Sequence, residues 1–275
     1  MRSDEKTASP IHRVGCVSFL NSKPLIDPLV GRPDVAIRFA VPSKLMDLVV
    51  GGEVSTALMS VVDYQLCPRD LLLVPAGMIG CDGPTLTVRI FSRVPPARIR
   101  TLHGDADSHT SVMLAQVVLR DRYGVKPAMQ PWEASLAVPG SLPEALLLIG
   151  DKVVNAAPPS EEYPHQLDLG EEWKKLTGLP FVFAMWMMRR DQVSLELARL
   201  LDEARRRGAD MTDELVARHA SERRWPVELA RRYFTEYLRY EVTPAARAGL
   251  TRFFEMADSL GILRRRRSLE YLELV

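Results

Sequence analysis

A chain of 275 residues, 47% hydrophobic and 26% charged, has ordinary globular composition and room for one large domain or two modest ones. Lys and Arg total 36 against 35 Asp and Glu, a net charge of +1, which gives no global attraction to nucleic acid or to an anionic membrane. The three cysteines, Cys16, Cys67 and Cys81, are odd in number and contain no C-x-x-C pair, which argues against a disulfide framework and a zinc ribbon and fits a reducing cytoplasm.

Residues Met1 to Arg13 are polar and read as a short disordered leader. The apolar run that follows is too short for a signal-peptide core and has no small-residue cleavage site before Asn21. No stretch approaches the ~20 apolar residues of a membrane helix. A soluble, cytoplasmic protein is expected. Val14 to Leu20 reads as a buried strand, and Pro24 to Val30 opens a helix. Val35 to Val41 reads as strand, and Pro42-Ser43 caps a helix from Lys44 to Gly51. Thr56 to Ser60 is a short apolar strand that runs into a helix over Val61 to Cys67. Leu71 to Met78 and Thr85 to Ser92 read as two further strands around a Gly80 to Pro84 loop.

A second block begins near Pro95-Pro96. Arg100 to His103 is strand-like, Gly104 to His109 is a polar loop, and Thr110 to Tyr123 carries apolar residues at helical spacing. Strands are expected at Pro127 to Pro131, Ala145 to Ile149 (preceded by a helical turn at Leu142), Gln166 to Asp168 and Phe181 to Met188, with a helix over Glu171 to Thr177. After Asp191 the pattern is helical to the end, broken at Gly208, Pro226, Pro244 and Gly261. This is an α/β chain of two lobes: residues 1–94 with 189–275 form the larger, and 95–188 an inserted smaller one. A small-molecule site is expected in the cleft between them.

Nucleotide-binding glycine motifs, zinc-ligand spacings and a nucleophile elbow are all missing, so no cofactor and no metal are expected. The remaining candidates are uncharged polar groups at strand ends and helix starts. Leu20-Asn21-Ser22-Lys23-Pro24 follows the first strand. An Asn there offers a donor and an acceptor without charge, and in α/β proteins ligands gather at the C-terminal ends of strands; the plainer reading is a turn. Ser108-His109-Thr110-Ser111 precedes a helix, where free N–H groups and the dipole suit a carboxylate, or where a hydroxyl merely caps. Ser60 ends a strand, where the plainer reading is a cap for the helix that follows. Thr87 sits in a strand, where β propensity alone explains it. Cys16 and Cys81 read as buried small hydrophobes, and His109 as an exposed loop residue.

Several segments together carry a more specific signal: Leu20-Asn21-Ser22-Lys23-Pro24, Asp82-Gly83-Pro84, Ser108 to Ser111, Leu148-Ile149-Gly150-Asp151, Asp168-Leu169-Gly170-Glu171, and Thr177-Gly178-Leu179-Pro180-Phe181-Val182-Phe183-Ala184 with Trp173 and Trp186. In this order they resemble the chorismate dehydratase family of the futalosine route to menaquinone. The resemblance implies a two-lobed fold like the type II periplasmic binding proteins, with a central cleft. It also implies loss of water from chorismate to give 3-[(1-carboxyvinyl)oxy]benzoate, in a cytoplasmic enzyme that acts as a carbon-oxygen lyase. In that family the positions of Asn21 and Thr87 are thought to serve the chemistry, and a carboxylate of the substrate is proposed as base. Ser22, Ser60, Thr110, Ser111 and Phe183 are then the expected substrate contacts, with hydroxyls and helix N-termini holding the two carboxylates. The chain departs from the family at Leu86-Thr87, where Gly-Ser is typical, and at Lys152, where a small or acidic residue is usual.

Two related readings share the fold. One is a non-catalytic small-anion binding protein. The other is the sister enzyme 1,4-dihydroxy-6-naphthoate synthase, which carries a His near the position of Gly150. The run Arg264 to Arg267 reads as a solvated face, so no nucleic-acid or membrane partner is expected; the sequence carries no signal of oligomeric state.

Overall fold

The computed structural model describes residues 12–105, 108–132 and 142–274. Most of the expected leader, and residues 106–107 of the expected Gly104 to His109 loop, lie outside the described residues. His12 and Arg13 already pair with Val35 and Ala36 in a sheet.

The first strand, β1 (His12–Cys16), stops before the apolar run does. The Ser22 hydroxyl lies 2.9 Å from the carbonyl oxygens of both Val17 and Phe19 and donates to them. These local bonds draw the chain out of the extended form into a 3-10 turn at Leu20–Ser22 and a single helical turn, α1 (Lys23–Ile26). β2 (Val35–Phe39) pairs parallel with β1 as a half-exposed edge. α2 (Pro42–Val50) follows with Pro42 in its first turn, a position where a missing N–H costs nothing. The fully buried β3 (Thr56–Ser60) pairs with the other side of β1 and runs into α3 (Val61–Leu66).

β4 (Leu71–Cys81) is longer than its apolar run suggests. Beyond it the chain crosses to a second sheet and builds β5 (Val88–Ser92), β6 (Thr101–Asp105), α4 (His109–Tyr123), β7 (Ala128–Trp132), β8 (Ala145–Ile149), α5 (Asp151–Asn155), β9 (His165–Asp168) and α6 (Leu169–Thr177). It returns through β10 (Phe181–Arg189), which inserts antiparallel between β3 and β4. Among the described residues the sheets have the orders β2-β1-β3-β10-β4 and β7-β6-β8-β5-β9.

This topology corrects the expected lobe boundaries. β5 bonds to β8 and β9 and belongs to the second sheet, whereas β10 belongs to the first. Both strands are largely buried apolar runs, and such a run carries no alternation to tell which sheet it joins. Two further expectations fail locally. Residues 85–87 do not extend β5, because the Asp168 carboxylate takes the Thr85 and Leu86 N–H groups at 2.9 and 2.7 Å. No helical turn forms at Leu142; the neighbouring Pro143 carbonyl accepts from the Tyr163 hydroxyl at 2.7 Å.

The C-terminal part packs helices α7 (Leu195–Asp210), α8 (Thr212–His219), α9 (Val227–Arg232) and α10 (Pro244–Ser259), with a π-helical turn at Tyr233–Tyr237 between the last two. It is not helical to the end. Gly261, at φ +65, follows α10; the tail then lies along β4, where the Leu73 N–H donates to the Glu270 carbonyl at 2.9 Å and the Leu272 N–H to the Leu73 carbonyl at 2.8 Å. Within the arginine run, Gln65 clamps the Arg267 backbone, and the Arg266 side chain reaches Glu255 at 3.5 Å. No helix among the described residues is long and apolar enough to cross a membrane.

Gly208 was expected to break a helix, yet it lies inside α7. A Cβ there would sit 1.7 Å from the Pro24 carbonyl oxygen, so the glycine allows α7 to press against α1. Helix propensity alone says that Gly208→Ala stabilises by about 1 kcal/mol. The packing reverses the sign: we expect a loss of roughly 1–3 kcal/mol, read as a lower thermal midpoint. A raised midpoint would show that α7 does not need the close approach.

Candidate active site

Between the two sheets lies a cavity of about 640 Å³, its open mouth included, within the size range of small-molecule sites. Asn21, Ser60, Thr87, Ser111 and Phe183 all line it, although they come from five different elements or turns. Val17, Phe19, Leu58, Ile79, Ile149 and Leu238 supply apolar wall.

The floor is a cluster of neutral polar groups. Thr87 Oγ1 lies 2.6 Å from the hydroxyl of Tyr233, which also lines the cavity. Asn21 is held by its backbone, its carbonyl accepting from the Tyr240 hydroxyl at 3.1 Å. Its side-chain Oδ1 is buried and has no hydrogen-bond partner. Tyr233 is 1% exposed. Burial pushes its phenol well above the usual tyrosine range, while hydrogen bonding with Thr87 and Asn21 pulls the other way. The Tyr233 ring stacks on Trp225 at 4.8 Å, and the Trp225 indole N–H donates to Asp151 at 3.1 Å. Arg223 also meets Asp151, at 3.3 Å. Since Asp151 opens α5, these bonds tie the second sheet's lobe to the C-terminal helices.

Thr87 owes its place to Asp168. With Leu86 at φ +67 and the Thr87 N–H donating to the Thr85 carbonyl at 2.8 Å, residues 85–87 form a tight turn of the rare, strained γ class. Asp168 holds the first two N–H groups of that turn and also caps α6, accepting from the N–H groups of Gly170 and Glu171. The Gly-to-Leu departure at residue 86 thus falls at a left-handed position that favours glycine.

Two expected substrate contacts sit elsewhere. The Ser22 hydroxyl faces the Val17 and Phe19 carbonyls and does not line the cavity. Thr110 is bound to Ser60 twice: the two hydroxyls are 2.5 Å apart and the Thr110 N–H donates to Ser60 Oγ at 3.1 Å. This pair is a latch between the end of β3 and the start of α4, so one helix-terminal donor is already satisfied. Ser108 caps α4 by accepting from the Ser111 N–H at 3.2 Å, and its hydroxyl donates to Ser111 Oγ at 2.8 Å. Beside them His109 Nδ1 lies 2.6 Å from the buried Asp63 carboxylate. His109 is therefore an ion-pair partner rather than a free loop residue; the Asp63 bond raises its pKa above the ordinary value, with burial opposing.

Phe19 and Tyr233 escaped the sequence reading. Phe19 immediately precedes the 3-10 turn Leu20–Ser22. Its ring faces Gly150, whose φ is +58 and whose Cβ would lie 3.8 Å from the ring. The cysteines are all free and buried; burial pushes the Cys16 thiol up to about 12. No group of three or more His, Cys, Asp or Glu side chains suited to a metal occurs among the described residues.

Two mixed sheets joined by crossing strands, with a cavity between them, define a two-lobed protein of the periplasmic-binding type. Solved structures agree on this fold. A structural-genomics target protein from Archaeoglobus fulgidus superposes with a TM-score of 0.72 at 18% identity, over 91% of this chain and 98% of the other. The alkanesulfonate-binding protein of Xanthomonas axonopodis pv. citri, bound to MOPS, gives 0.65 at 14% identity over 95% and 97%. Residues 12–259 match the family model described as menaquinone biosynthesis, and the chain belongs to that family. A chorismate dehydratase from Thermus thermophilus is 30% identical over 239 residues, 81% of this chain and 86% of its relative.

The His109–Asp63 pair bridges α4 and α3 and carries a pH dependence. Its folded pKa is raised, so its stabilisation is fully present below the ordinary histidine value of about 6.5 and is lost as pH rises through the higher folded value. The difference in thermal midpoint between the parent protein and His109→Gln is expected to be larger near about pH 5.5 than near about pH 8.5. An equal gap at both would rule out the charged pair.

Proposed function

We propose that this chain is a chorismate dehydratase that eliminates water from chorismate to give 3-[(1-carboxyvinyl)oxy]benzoate, a carbon-oxygen lyase reaction in menaquinone biosynthesis. The observation that carries the reading is the meeting of Asn21 and Thr87, far apart in sequence, at the floor of an apolar inter-lobe cavity, in a chain of the menaquinone biosynthesis family. The free, buried cysteines support the cytoplasmic location expected from the sequence.

The chemistry suits neutral residues. The ring loses a hydroxyl and the proton on the adjacent carbon, and aromatisation drives the reaction. The enzyme then has to hold the dianion in one orientation and assist the departing hydroxyl. Phe19, Phe183 and the aliphatic wall offer the ring an apolar slot. The Ser111 hydroxyl, whose proton is left over by the Ser108 bond, and the start of α4 favour a substrate carboxylate. Asn21 Oδ1, buried without a partner, offers an acceptor to the ring hydroxyl, and Thr87 a donor as the C–O bond breaks. In the dry cavity such bonds act more strongly than in water. The base is a carboxylate of the substrate itself. The sister naphthoate synthase reading is disfavoured at Gly150, which brings no imidazole and whose φ of +58 would strain any side chain placed there.

Incubation with chorismate is expected to give a product lighter by one water, with the absorbance of a substituted benzoate. Tight binding without turnover would instead favour the anion-binding reading. Asn21→Ala is expected to abolish dehydration while leaving the thermal midpoint nearly unchanged; near-normal turnover would remove Asn21 from the chemistry. Thr87→Ala is expected to cost about 10²–10⁴ in kcat and Thr87→Ser much less. Equal rates in the two variants would show that the hydroxyl is not used.

A further inference from the structure

The hydroxyl of Tyr233 has no packing purpose. A phenylalanine would stack on Trp225 as well and would not bury a polar atom beside an apolar wall, which costs free energy unless a hydrogen bond compensates. The phenol is instead aimed at Thr87 Oγ1, 2.6 Å away. Its ring is fixed by Trp225, which Asp151 holds in turn. Tyr233 also opens the π-helical turn Tyr233–Tyr237, a backbone irregularity that is frequent at functional sites.

We propose that Tyr233 is a positioning residue that orients the Thr87 proton toward the cavity and replaces that proton as the substrate hydroxyl departs. This rests on the dehydratase reading above. The direction of the hydrogen bonds follows from counting donors. Asn21 acts on the phenol through a side-chain hydrogen bond while its Oδ1 has no partner; the Asn21 group left for that bond is the amide NH2, which can only donate. With the phenol oxygen accepting from Asn21, the single phenol proton lies on the Thr87 side. Thr87 Oγ1 accepts it, and the single threonine proton then points away from Tyr233. The chain runs from Asn21 to Tyr233 to Thr87 to the cavity, each bond polarising the next. Reversing it would leave Thr87 with no proton to offer the substrate.

The step balances. The ring C–H bond breaks and its electron pair forms the last ring double bond, the proton going to a substrate carboxylate. The C–O bond breaks, and the hydroxyl leaves with its electron pair. It takes the Thr87 proton and becomes water, and Thr87 takes the proton of Tyr233. The carboxylic acid then returns a proton to the phenolate through solvent, so that chorismate becomes product plus one water. Because burial raises its pKa, Tyr233 stays protonated at neutral pH until a stronger base, the departing hydroxide, develops.

Tyr233→Phe keeps the ring stacked on Trp225 and removes only the proton. Steady-state kinetics with chorismate are expected to show kcat lower by about 10²-fold, with KM and thermal midpoint nearly unchanged. Adding the change to Thr87→Ala should cost no further activity, because both residues act through one chain. Unchanged kcat in Tyr233→Phe, a rise in KM alone, or losses that multiply in the double variant would each overturn the proposal. If the parent protein itself does not turn chorismate over, the dehydratase reading falls and this proposal with it; turnover retained by both the parent and Tyr233→Phe sinks the proton route alone.

Discussion

One carboxylate holds the reacting end of the cavity together. Asp168 is 5% exposed and accepts from four backbone N–H groups, those of Thr85, Leu86, Gly170 and Glu171, with Arg89 at 3.6 Å. Left alone, these donors would be orphans inside the fold, each costing about 1–3 kcal/mol. Together they pin the outgoing crossing between the sheets, at residues 82–87, to the start of α6. They also hold Leu86 at φ +67, a conformation that costs a residue with a side chain about 1–2 kcal/mol. Charge-assisted bonds of roughly 1.5–3 kcal/mol each are large enough to offset that strain. The turn then points Thr87 at Tyr233. Leucine can therefore hold the left-handed position before Thr87, because the carboxylate and not the residue's own preference fixes the backbone.

Among the described residues no Lys, Arg or His lines the cavity, and this is compatible with a dianionic ligand. Neutral hydroxyls, an amide and a helix start can bind carboxylates without changing charge over the pH range in which histidine titrates. Placed against an apolar wall, each such bond is strengthened by the low local dielectric. Ionised side chains appear one layer out. His109–Asp63 joins α4 to α3, and Arg223–Asp151 joins the C-terminal helices to α5.

Local pattern revealed most of the cavity and misassigned part of its bonding. The polar ends of buried strands marked Asn21 and Ser60, a hydroxyl-rich helix start marked Ser111, and the family resemblance alone singled out Thr87. Sequence could not say which partner each hydroxyl would choose. Ser22 bonds to carbonyls three and five residues back, and Thr110 to a serine fifty residues away. The first choice depends on local geometry and the second on the packing of α4 against β3. Tyr233 left no legible trace, because an aromatic residue within an amphipathic helical stretch reads as core. β5 and β10 were assigned to the wrong lobes for a related reason: a strand buried on both faces fixes its own burial but not its neighbours.

The three groups at the reacting end belong to chain segments that no single element orders. Asn21 comes from the turn after β1, Thr87 from the crossing between sheets, and Tyr233 from the π-helical turn that Trp225 anchors. Their mutual distances are therefore set by how the lobes meet. The Ser60–Thr110 and Asp63–His109 contacts fix one side of that meeting and the Asp151–Trp225 contact the other. Lobe contact is therefore what brings Thr87, on the crossing between the sheets, within 2.6 Å of the Tyr233 hydroxyl on the C-terminal helices.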